Sequence, residues 1–147
     1  MPFIEIVIPA FSPAQREAFA GEITDAFSRI AGFSKDILAV YMNYYQIGGD
    51  KITVAGKYIP LFSDKAYLHI AVFSPRLKKA AKREVIAEFT SIAERVFEGK
   101  CASPVIHLNE HAYDNIGVNG KMLSELYPEL AERTFYYSTN DGKVEPE

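Results

Sequence analysis

The residue with the most chemistry to offer is the second one. Met1 is followed directly by Pro2, and a proline there is a poor barrier to removal of the initiator methionine. With Met1 removed, Pro2 carries a free secondary amine, a group that serves as a base or a nucleophile. The amine heads the apolar run Phe3-Ile4-Glu5-Ile6-Val7-Ile8, so it is expected at the edge of a core and not on a free tail. In a desolvated pocket its conjugate acid loses stability and the pKa falls toward neutrality. Arg76 is a second candidate. It precedes a helical pattern, and a cation in a helix's first turn is mildly unfavourable beside the dipole, which favours an anionic partner. His69 alternates with Leu68 and Ile70 and reads as structural. His107 has two readings: a hydrogen-bond donor to a substrate carbonyl or carboxylate, or a histidine alternating with core residues on a strand. His111 shares a loop with Glu110 and Asp114, but the spacing fits no standard ligand set, and no metal is expected. Cys101 is the only cysteine. It allows no intramolecular disulfide, fits a reducing compartment, and reads as an ordinary small residue near a turn.

Composition narrows the setting for these groups. The 147 residues are 48% hydrophobic and 24% charged, an ordinary globular mix for one domain over 1–147. A net charge of −3 argues against a nucleic-acid binder that lives on its charge. The start lacks a basic segment followed by an apolar run, and no apolar run approaches membrane-spanning length. The expectation is a cytoplasmic protein without membrane or nucleic-acid partners. The basic run Lys78, Lys79, Lys82 and Arg83 reads as the wet face of a helix that also steers anions.

The elements that must position Pro2 and Arg76 come in two sets. Phe3 to Ile8 is a strand, rich in branched residues. Ser12-Pro13-Ala14-Gln15 is a helix start: Ser12 caps, Pro13 takes the first turn and Gln15 closes a capping box. Ala18, Phe19, Ile23, Ala26, Phe27 and Ile30 form one apolar helix face, and Gly32 stops it. Ile37 to Met42 reads as a strand, Asn43 to Gly49 as a loop, and Ile52 to Lys57 as a hairpin arm. The pattern then returns. Ala66 to Phe73 is a strand, Ser74-Pro75-Arg76 leads into a helix with Val85, Phe89, Ile92, Ala93, Val96 and Phe97 inward, and Gly99 stops it. Val105 to Leu108 is a strand, and Ile116-Gly117-Val118-Asn119-Gly120-Lys121 closes a hairpin. Ala39 to Asn43 resembles Val105 to Asn109 at an offset of 66, and Ile52 to Lys57 resembles Ile116 to Lys121 at an offset of 64. A near-constant offset over several elements is an internal repeat. Its copies span about 2–60 and 66–126. Two β-α-β copies predict an α+β fold, a four-stranded mixed sheet with two helices on one face. The right-handed crossover makes the strands parallel within each copy. Beyond them, Met122 to Tyr127 reads as a helical turn, Arg133 to Tyr137 as an edge strand, and Asn140 to Glu147 as a frayed tail.

A terminal proline on a strand, followed by a duplicated β-α-β unit of this length, resembles the tautomerase superfamily. More closely, it is similar to the fused branch that includes malonate semialdehyde decarboxylases and cis-chloroacrylic acid dehalogenases. The resemblance rests on Pro2, the turn Ser74-Pro75-Arg76 before Leu77-Lys78-Lys79, the hairpin Ile116 to Lys121 and the repeat. It implies a tautomerase/MIF-like fold, a homotrimer and catalysis without a cofactor. Pro2 matches the family's amino-terminal proline, its general base or general acid. Arg76 matches the arginine that binds a substrate carboxylate. Such a planar guanidinium grips a carboxylate through two bonds. Ile116 and Val118 match positions that form an apolar pocket wall. Asn119 is a candidate donor to the enolate oxygen, along with His107 and a backbone amide.

The chain departs from the branch in three places. The decarboxylases and dehalogenases use two nearby arginines, but Phe73, Ser74 and Pro75 precede Arg76 here. Val118 stands where a dehalogenase carries its water-activating glutamate, and Phe27 where it carries a helix histidine. Asp36 fits an aspartate that the decarboxylases place before the second strand, and it also reads as a structural acid at a helix-to-strand turn. The resulting expectation is a tautomerase acting on a 2-oxo acid or its enol, with Pro2 as base and Arg76 on the carboxylate. The alternatives are decarboxylation of a 3-oxo acid, or a non-catalytic ligand- or partner-binding protein of this fold.

Overall fold

Alternation along the first strand sets the layers of the molecule. β1 (Phe3–Pro9) buries Ile4, Ile6 and Ile8 completely on one face and leaves Phe3, Glu5 and Val7 half-buried on the other. The arrangement comes from a computed structural model, which describes residues 2–59 and 66–128. α1 (Pro13–Ala31) opens where Ser12 Oγ accepts the Gln15 N–H at 3.2 Å, and it closes at Gly32 in the left-handed region, φ 76°. Gln15 does not complete a capping box. Its amide nitrogen donates to the Val96 carbonyl at 3.3 Å and ties the start of α1 to the second helix.

β2 (Ala39–Tyr45) runs parallel to β1. It begins later than the run Ile37 to Met42 suggests, because Lys35–Ile37 form a 3-10 turn capped by Ser34. It also takes in Asn43 to Tyr45, whose polar and aromatic character reads as a loop. β3 (Thr53–Val54) and β4 (Lys57–Tyr58) form a small hairpin. β5 (His69–Ser74) lies antiparallel to β1. Ala66, expected inside that strand, makes only an isolated bridge to Cys101. α2 (Lys79–Val96) starts three residues after Arg76 and has no side-chain cap at Lys78. β6 (Val105–Glu110) is parallel to β5, and β7 (Gly117–Val118) pairs with β8 (Lys121–Met122). The short α3 (Leu123–Leu126) follows. The segments Arg133 to Tyr137 and Asn140 to Glu147 lie outside the described residues.

The sheet order is β2-β1-β5-β6, parallel within each copy and antiparallel where the copies meet. Both helices cover the face that carries Ile4, Ile6, Ile8, Ile70 and Val72. Phe19, Phe27, Phe89 and Phe97 are fully buried there, each contributing about 1.5–3 kcal/mol on transfer from water. The opposite face carries Tyr41, Phe3, Glu5, His69, Phe73, His107 and Asn109. The offset of 66 holds from β1 to β5, from α1 to α2 and from β2 to β6, and that of 64 holds from β3 to β7. Among the described residues no helix is long and apolar enough to cross a membrane.

Candidate active site

Pro2 precedes β1 and is buried. Phe3 pairs with Phe73, so Pro2 lies at the end of the sheet where β5 closes at Ser74 and Pro75 follows, both buried. A cavity of about 530 Å3 opens at this point. Pro2 and Pro75 line it from the sheet. Phe33 and Ile37 line it from the α1–β2 connection of the first copy. Val118 and Asn119 come from the β7–β8 hairpin, Tyr113 from the 3-10 turn before it, and Leu123, Leu126 and Tyr127 from α3 and its end. The wall is therefore mainly apolar, with an amide and two phenols as polar handles. Burial pushes the Tyr113 hydroxyl up, so it stays protonated as a donor.

The hairpin is shaped to offer Asn119. Its turn places Asn119 at φ 52° and Gly120 at φ 75°, the two left-handed positions of a type I′ turn that Asn-Gly suits. Ile116 is half-buried and does not line the cavity; its carbonyl accepts the Leu123 N–H at 2.8 Å and pins α3 to the hairpin. Arg76 is half-buried beside Pro75 but does not line the cavity itself. Its turn is held by Glu110, whose Oε1 accepts the Leu77 N–H at 2.8 Å and meets Lys82 Nζ at 2.8 Å. Glu110 thereby ties the segment ahead of α2 to the helix's first turn and to the end of β6. Sequence reading passes over this role. The available signal is parity, since Glu110 continues the inward series Ile106, Leu108 and puts a carboxylate where an apolar residue is expected. Tyr113, Leu123 and Tyr127 carry no comparable signal, because their place in the wall depends on how the hairpin folds back over the sheet.

The remaining candidates lie elsewhere. Asp36 is exposed in its 3-10 turn, with its N–H on Ser34 Oγ, and the neighbouring Ile37 is the residue that reaches the cavity. His107 lies on the sheet face away from the helices, its Nδ1 2.7 Å from His69 Nε2. At that distance one ring donates to the other, the direction depending on the tautomers. Burial first, then the nearby His107, pushes the His69 pKa down. Burial raises the Cys101 thiol to about 11, which leaves it unreactive at neutral pH. A second hollow, about 420 Å3, lies between the exposed faces of the helices. Its charges answer one another: Arg29 meets Glu84 and Glu88, each at 3.1 Å, and Arg95 meets Glu22. It is a solvated ion-pair surface.

No family model matches the sequence, and no curated protein matches it. Solved structures do match its shape. R7 fused 4-OT, solved as a wild-type asymmetric trimer, superposes with TM-score 0.71 at 17% identity, covering 84% of this chain and 98% of that one. A malonate semialdehyde decarboxylase superposes with TM-score 0.64 at 12% identity, over 86% of this chain and 98% of its own. N1, a member of the cis-3-chloroacrylic acid dehalogenase family, gives 0.67 at 20% identity, over 95% of this chain and 96% of its own. The architecture, the repeat and these superpositions agree: the chain has the tautomerase-superfamily fold, with both β-α-β units in one chain.

Proposed function

We propose that the protein is a cofactor-independent keto–enol tautomerase for a 2-oxo acid or its enol. One observation supports this above the others: buried Pro2, at the head of β1, opens onto a cavity with a largely apolar wall. With Met1 removed, the apolar wall disfavours the prolinium and keeps the amine neutral near pH 7. Neutral Pro2 takes the hydroxyl proton of the enol. The electron pair forms the C2 carbonyl, and the prolinium returns a proton to C3. The cycle restores neutral Pro2 and needs no covalent bond to the enzyme. Arg76, next in sequence to the cavity-lining Pro75, holds the substrate carboxylate. Asn119 donates to the oxygen that carries enolate charge. Val118, with the neighbouring Ile116, keeps water from the amine. The test is ultraviolet monitoring of phenylenolpyruvate ketonisation by Met1-free protein, wild type beside Pro2→Ala. A catalysed rate that disappears in the variant is the expected result. A Met1-free wild type no faster than buffer sinks the reading.

The working form is a homotrimer. Its support is the uncovered sheet face, where Tyr41 is 55% exposed, and the fused 4-OT structures solved as trimers. Burying such faces in a closed ring is the usual solution for a one-sided sheet. Sedimentation should give three times the chain mass, and a monomer at micromolar concentration would contradict it.

A further inference from the structure

His111 takes no part in the mechanism above, yet its Nδ1 is buried without a hydrogen-bond partner among the described residues. A buried polar atom of this kind calls for an explanation. The repeat supplies one. At the offset of 66 that relates β2 to β6, His111 stands where Tyr45 stands in the first copy. Tyr45 is buried, and its hydroxyl donates to the carbonyl of Tyr67 at 2.7 Å. At the same offset Tyr67 corresponds to Met1, and the following Leu68 to Pro2. Tyr45 thus reaches the peptide that leads into β5, and His111 holds the equivalent position at the end of β6. The backbone agrees, because the His111 N–H donates to Ser74 O at 3.0 Å, and Ser74 follows Phe73, the residue paired with Phe3. Glu110 turns the other way, to Lys82 and the Leu77 N–H.

We propose that His111 Nδ1 accepts the N–H of the Pro2 amine in the Met1-free protein and turns the nitrogen's lone pair toward the cavity. A Pro2 still joined to Met1 is an amide without a hydrogen, so this bond becomes available only on processing. His111 must be neutral to accept. Burial, the largest influence, lowers its pKa, against opposition from its own backbone and that of Ala112. The contact makes His111 a positioning residue. It also stabilises prolinium, a donor, and sets a lower limit to the drop in pKa that the apolar wall causes.

The inference rests on Pro2 as the base, but its test does not need turnover. Met1-free protein labelled with nitrogen-15 is titrated by NMR as wild type, His111→Phe and His111→Asn. In His111→Phe the Pro2 pKa should fall by about one unit. In His111→Asn, whose amide oxygen lies near the lost Nδ1, it should return. Activity should follow, with kcat about tenfold down in the first variant at little change in KM. In wild type the Nδ1 signal of His111 should move in step with the Pro2 titration, a readout that holds even if His111→Phe fails to fold. An unchanged Pro2 pKa in folded His111→Phe, or an Nδ1 signal flat through the Pro2 titration, overturns the proposal. An intact contact in a protein that ketonises nothing would instead overturn the tautomerase reading and leave the contact standing.

Discussion

At one end of the sheet the chain begins, and at the other it runs on into the next strand. The two ends are otherwise built alike. Pro9 closes β1 as Pro75 follows β5, Val54 and Ala55 occupy the first hairpin as Val118 and Asn119 occupy the second, and Tyr45 stands where His111 does. The differences fall on a handful of positions. Leu68, linked on both sides and fully buried, replaces Pro2. Ala10 replaces Arg76, and Ala55 replaces Asn119. Chemistry is proposed for one of these two similar frames because only there would removal of Met1 free an amine, near a cation at the turn and an amide at the hairpin tip. At the second copy's helix-to-strand connection stand Gly99 and Ser103, where the first copy offers Phe33 and Ile37 to the Pro2 cavity.

The largest effect that separates the ends should come from Pro2→Ala, which lowers kcat/KM by about 10²- to 10⁴-fold, the usual weight of a positioned base. Pro9→Ala, at the linked end, should leave kcat/KM unchanged, and equal losses would erase the distinction. Next is Arg76→Ala, expected to raise KM for a monocarboxylate about tenfold or more. Ala10→Arg in a Pro2→Ala background should restore nothing, because the first frame has no amine to work with.

How far this was legible in the sequence depends on the range of the interactions involved. The periodic runs from Phe3 to Ile8 and through Phe19, Ile23 and Phe27 specify their own elements, and the repeat places the second set. Pro2 is legible because its chemistry follows from position. The outer wall is not. Tyr113, Leu123 and Tyr127 meet Pro2 only after the second hairpin folds over the end of the sheet, and sequence spacing does not encode that approach. The role of Glu110 is hidden for a related reason: it holds the Leu77 N–H ahead of α2 from a different strand. The His69–His107 contact depends on register between β5 and β6, which fixes Ala71 opposite His107 and brings His69 within reach.

Smaller effects sharpen the comparison without touching catalysis. Tyr45→Phe removes the hydroxyl that holds the Tyr67 carbonyl and should cost about 1 kcal/mol in urea denaturation, with kcat/KM unchanged. A loss of activity there would mean that the linked end also serves the reaction. Ala55 adopts φ 53° beside Gly56 at 77°, the same turn that Asn119 and Gly120 make, but without a residue suited to it. Ala55→Asn should therefore stabilise the protein by up to about 1 kcal/mol. No change in the denaturation midpoint would show that the first hairpin contributes little to the folded state.

The central claim, that a free chain end makes one of two similar frames reactive, is tested most directly by varying the chain end alone. Preparations of the unchanged sequence with different fractions of Met1 removed, each quantified by intact mass, are assayed for phenylenolpyruvate ketonisation. The account predicts a rate proportional to the fraction of chains that begin at Pro2, reaching zero when every chain keeps Met1. A rate independent of that fraction would contradict it.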